Sequence, residues 1–175
     1  MPTIRPSVIS ILPNRRDVGI LGCINEHDGT GFLHALLWAY HPGYSRQISP
    51  YYRVHLAKSI RIGALPSILR QRYGDRPLCA AGCAESRSLF NKAIAYGSPL
   101  PEELNQDYAK FLGASYRLYD ADLRLIESYN SPTARVPCHI IMTNEDEYHL
   151  LVRVAKRDSE DAINFKILDN RSYES

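Results

Sequence analysis

Nine consecutive residues beginning at Phe32, FLHALLWAY, place apolar side chains on nearly every side of the helix they predict. Only a helix enclosed by other elements can carry such a sequence, because an exposed helix keeps a polar face. The segment is framed by breakers. Residues 25–31, NEHDGTG, form a turn cluster rich in residues that accept unusual backbone angles. His41, Pro42 and Gly43 end the helix. The chain therefore has to build layers around one short buried rod.

A chain of 175 residues is long enough to do so as one domain, read here as residues 1–175, without disulfides or a structural metal. Its 21 basic and 19 acidic residues are mixed along the chain, and that balance gives no electrostatic case for nucleic acid or an anionic membrane. No run approaches the roughly 18 apolar residues of a membrane-spanning helix. Residues 1–13 lack the basic start, long apolar stretch and cleavage site of a secretory signal. The expected location is the cytoplasm, where Cys23, Cys79, Cys83 and Cys138 stay reduced.

Around the central rod, the pattern reads as helices first and strands last. Residues 5–12 and 17–23 are short, apolar and β-branched, and are read as extended. Ser49 and Pro50 open a longer helix, with Val54, Ala57, Ile60 and Ala64 at helical spacing before Pro66 breaks it. Residues 85–96 form a further amphipathic helix. Pro101, Glu102 and Glu103 open another, which Gly113 closes. From Ser115 the period changes. Residues 116–119 and 123–128 flank Asp120-Ala121-Asp122 as one hairpin, and residues 136–143 and 148–155 flank a polar turn as a second. Residues 163–168 supply a last edge strand. Helices followed by antiparallel strands make an α+β domain, with a helical lobe packed on a small antiparallel sheet.

The segment Asp28-Gly29-Thr30-Gly31-Phe32-Leu33-His34-Ala35-Leu36 resembles the signature of ovarian-tumour-type (OTU) cysteine proteases, which are deubiquitinases of papain-like fold. In that signature Asp-Gly and a small polar residue precede a cysteine, and apolar residues follow it. A thiol at a helix N-terminus is favoured as thiolate by unpaired amides and the positive end of the dipole. The resemblance implies a nucleophile at position 31, where this chain has glycine, and an oxyanion-binding turn at Asp28, Gly29 and Thr30. It also implies His149, at the start of a late strand beside Tyr148, as the general base. The family often carries Asn or Asp two residues beyond the histidine, but here that position is Leu151, which leaves Asp169 or Asn170 to orient the ring. The divergence suggests a viral member of the family.

Blander readings stand beside these. Gly29 and Gly31 also suit a plain tight turn into a helix, and a phosphate loop is excluded by the absence of Gly-Lys-Ser/Thr or any nearby lysine. His34 is read as a core hydrogen-bonding residue, and His139 has no stronger claim. Cys23 is a small buried hydrophobe sooner than a displaced nucleophile. Cys79 and Cys83 have ligand spacing but no second pair, so no zinc site and no cofactor is expected.

Two function classes remain in view. One is a pseudo-deubiquitinase that binds ubiquitin or another protein, or serves as a virion component, in the host cytoplasm. The other is an active OTU-type deubiquitinase whose nucleophile at position 31 has been replaced in this chain. Loss of a nucleophile costs on the order of 10⁶ in turnover, and Thr30 sits one position too early to stand in.

Overall fold

The computed structural model describes residues 9–12, 15–26, 30–46, 49–73, 91, 102–134, 136–143, 147–154 and 165–167. Two strands open the chain, β1 (Ile9–Leu12) and β2 (Arg15–Leu21). Helices α1 (Gly31–Tyr40), α2 (Pro42–Ser45), α3 (Pro50–Gly63) and α4 (Leu65–Tyr73) follow. A 3-10 turn at Glu102–Leu104 leads into α5 (Asn105–Leu112). The chain then runs through β3 (Tyr116–Tyr119), β4 (Leu125–Tyr129), β5 (Cys138–Met142), β6 (Tyr148–Val154) and β7 (Phe165–Ile167). The expected helix at 85–96 lies outside the described residues, Asn91 apart.

The organisation is α+β, as the sequence pattern predicts, but the sheet is larger than expected and mixed. Among the described residues its seven strands run β1-β2-β6-β5-β3-β4, with β7 also paired to β6. Every pairing is antiparallel except β3 with β5, which is parallel. The cause is burial. β5 is apolar and buried along most of its length, whereas β4 is exposed at Leu125 and Ile126. After β4 the chain crosses back and inserts β5 on the inner side of β3, so the greasier strand takes the interior and β4 becomes the rim.

The all-apolar sequence of α1 is explained by its neighbours. Phe32, Ala35 and Leu36 pack on the sheet face formed by Tyr116, Leu118, Cys138, Ile140, Tyr148, Leu150 and Val152. Leu33 turns to Ala64, Leu65, Ile68, Leu104 and Tyr108, on and beside α4 and α5. Leu37 joins Tyr44 of α2 and Ala57 of α3. Three sides of one helix thus seed three clusters.

Helix ends follow local chemistry. Pro50 occupies the first turn of α3 after Ser49, and that helix stops at Gly63, just before Pro66 enters the first turn of α4. Gly113 closes α5 in a left-handed conformation (φ 67°, ψ 31°), with the Ala114 N–H donating to Ala109 O at 2.9 Å. Arg53 fastens α3 to α2, its Nε and Nη2 each donating at 3.1 Å, to Tyr44 O and Ser45 O, with the guanidinium 4.0 Å over the Trp38 ring.

Candidate functional site

The start of α1 lies against the interior strand β6. Thr30 is the N-cap residue, with only 1% of its surface exposed, and its carbonyl accepts from His34 N at 3.0 Å. Asp28 and Gly29, the rest of the expected oxyanion turn, lie outside the described residues, as do Asp169 and Asn170.

Gly31 is the first helical residue, and its backbone is not left-handed, so conformation does not call for glycine here. Space does. A Cβ at this position would overlap Asn25 Oδ1 outright, and would lie 2.8 Å from Asn25 Cγ and 3.3 Å from Tyr148 Cδ2. The Asn25 side chain is held by three hydrogen bonds. Its Oδ1 accepts from Tyr148 N at 3.0 Å, while its Nδ2 donates to Tyr148 O at 2.8 Å and to Cys23 O at 3.1 Å. In the sequence Asn25 is one more residue of the turn cluster. The only signal was its position at the mouth of the turn, and its partner stands 123 residues away.

On β6, neighbouring side chains face opposite sides of the sheet. Tyr148 faces α1: it is buried and sits edge-on to Phe32, with ring centroids 5.7 Å apart. His149 is paired with Ile141, and Ile141 and Leu151 belong to the cluster on the opposite face. The strand residue that abuts Gly31 is therefore Tyr148, whereas His149 turns towards Cys23 and Glu147. The Cys23 backbone N–H donates to His149 Nδ1 at 3.0 Å, and Nε2 lies 3.6 Å from Glu147 Oε2. In that arrangement Nδ1 is the acceptor, so the ring hydrogen of the neutral imidazole belongs on Nε2, facing the carboxylate. Leu151, two residues beyond the histidine, is buried among apolar groups. The carboxylate on the histidine's face comes from two residues before it. The two-residue strand period works in both directions, so Glu147 shares the face of His149 as position 151 does.

Cys23 is buried, and burial pushes its thiol up to about 12, opposed more weakly by a backbone hydrogen bond near Leu150 and by the Arg53 charge. Its Sγ is 3.5 Å from Leu21 O, and it is the backbone N–H of Cys23 that meets His149. A thiol kept protonated and dry is a poor nucleophile. Burial also raises the Cys138 thiol. Cys79 and Cys83 lie outside the described residues. His34 Nδ1 is 2.5 Å from the buried Tyr44 hydroxyl, a core contact as the sequence suggested. His139 stacks on Tyr119, with its Nδ1 2.7 Å from the hydroxyl. Among the described residues no three His, Cys, Asp or Glu are arranged to hold a metal ion, and no helix is long and apolar enough to cross a membrane.

Fold and site together define an α+β protein whose buried central helix starts at a glycine, under an interior strand, with an asparagine carboxamide filling the space that a side chain at the glycine would need. No family model matches the chain, and no curated protein matches it in sequence. Among solved structures, the Hazara virus OTU bound to ubiquitin resembles it, with 17% identity over 85% of this chain and 97% of that one. The TM-score is 0.44, a loose overlay.

Proposed function

We propose that this chain is an OTU-like domain without a catalytic cysteine, a pseudo-deubiquitinase that binds ubiquitin or another protein in the cytoplasm and does not cleave it. The observation that carries the reading is the pairing of Gly31 with Asn25. The position at which the DGTGF resemblance puts a nucleophile has no side chain, and the room one would need is taken by a carboxamide tied down by three hydrogen bonds. The state of His149 agrees: its acceptor nitrogen is occupied by a backbone N–H, so it offers no lone pair to a nucleophile. An active protease in which only position 31 was replaced is less well served, because restoring a thiol there collides with Asn25. Ubiquitin as partner follows from the resemblance of residues 28–36. A viral source, with the host cytoplasm or the virion as location, follows from the same resemblance.

Titration of isotope-labelled ubiquitin with the native protein, together with a ubiquitin probe bearing a thiol-reactive C-terminus, tests this. Expected are saturable shifts of ubiquitin resonances and no covalent adduct on the native protein. The probe should also fail on Gly31→Cys, whose side chain meets Asn25. An adduct on native Cys23 would overturn the reading, and absence of binding up to about 1 mM, weaker than any specific protein pair of standard interface size, would remove ubiquitin as the partner.

A further inference from the structure

The Asn25 carboxamide makes three hydrogen bonds. Its oxygen accepts from the Tyr148 N–H, and its two amide hydrogens have two carbonyls to meet, Tyr148 O and Cys23 O. The walls of this slot are backbone atoms of β6 and of the segment after β2, with the Tyr148 ring and the bare Cα of Gly31 completing it. We propose that the start of α1 carries a slot selective for a primary carboxamide, that Asn25 is its built-in occupant, and that Gly31 is the matching residue that leaves it room. The native corner is then closed to ligands by its own chain.

The chemistry of the walls sets the selectivity. One donor and two carbonyl acceptors suit an amide with two N–H groups. A carboxylate of the same shape would turn an oxygen towards two carbonyl oxygens, and a tertiary amide would offer no donor. The slot is defined by Cys23, Asn25, Gly31 and Tyr148, so it stands whether or not ubiquitin binds.

Thermal unfolding without ubiquitin tests it. Asn25→Gly empties the slot and should lower Tm by about 5–10 °C, the size expected when three half-buried hydrogen bonds are lost from a domain of this length. Acetamide should restore part of that loss saturably in the variant, while N,N-dimethylacetamide should not, and the native protein should respond to neither beyond the ordinary solvent effect. If the two amides act alike, or if native and variant respond alike to acetamide, the slot is refuted. Asn25→Asp keeps the volume and turns the donating end into an acceptor that faces two carbonyls, so it remains informative should the glycine variant fail to fold. Its Tm should fall comparably, and an unchanged Tm would overturn the proposal.

Discussion

Alkylation of the folded protein at pH 8 measures how far Cys23 is from serving as a nucleophile. The thiol is raised from 9.0 to about 12 by burial. At pH 8 a thiol at 9 is about one-tenth ionised, and one at 12 only about one part in 10⁴. Only the thiolate attacks iodoacetamide, so ionisation alone slows the reaction about a thousandfold before access is considered. The assay is a timed exposure to iodoacetamide, quenched and read at Cys23 by peptide mass spectrometry, with the denatured chain as reference. The same shift has a stability consequence with a definite sign. The folded-state value lies above the unfolded one, so the thiol's contribution is fully present below pH 9 and is lost as pH rises towards 12. Across that window the loss amounts to about 4 kcal/mol, at about 1.4 per pH step. Base should therefore unfold the protein earlier than the alanine variant at this position, and that excess should vanish at neutral pH. Labelling of folded Cys23 within tenfold of the denatured rate would refute the argument and return the cysteine to the list of nucleophiles.

Two further substitutions probe the frame that holds the site. Gly113→Ala puts a side chain at φ 67°, with its Cβ 2.9 Å from Thr133 Oγ1, and should cost about 1–2 kcal/mol in urea unfolding with an unchanged m-value. Arg53→Met keeps the apolar stem but strands the carbonyls of Tyr44 and Ser45 and removes the cation from the Trp38 face. A loss of about 3–4 kcal/mol is expected, with Arg53→Lys between the two, and a loss below about 1 kcal/mol would mean that the guanidinium contributes little.

The readable parts of this fold are those in which one short segment carries its own evidence. The central helix is apolar on every side because three different clusters need it, and that demand is written in nine adjacent letters. Gly113, Pro50 and the two late hairpins are equally local. The turn of the first hairpin shows where local reading ends: Asp120 Oδ1 accepts from the backbone N–H groups of both Asp122 and Arg124, Leu123 takes a left-handed φ of 62°, and β4 starts at Leu125 instead of at residue 123. The parallel pairing of β3 with β5 is not local at all, because it depends on which strand is greasy enough to deserve the interior.

The site fails to be legible for a sharper reason. β6 is an interior strand with Leu150 and Leu151 both buried, one on each face, so its sequence does not alternate and gives no parity. Without parity, Tyr148 and His149 are equal candidates to face α1, and a protease motif favours the histidine. In the fold that place belongs to Tyr148, beside a carboxamide that bonds to a strand at the other end of the chain. Glycine at position 31 then has a reason of its own. A lost nucleophile alone would leave a vacancy that any small residue could occupy, whereas a slot already filled by Asn25 admits only the residue without a Cβ. On the proposed reading, Asn25 and Gly31 close this corner together, so a side chain restored at position 31 alone should not reopen it.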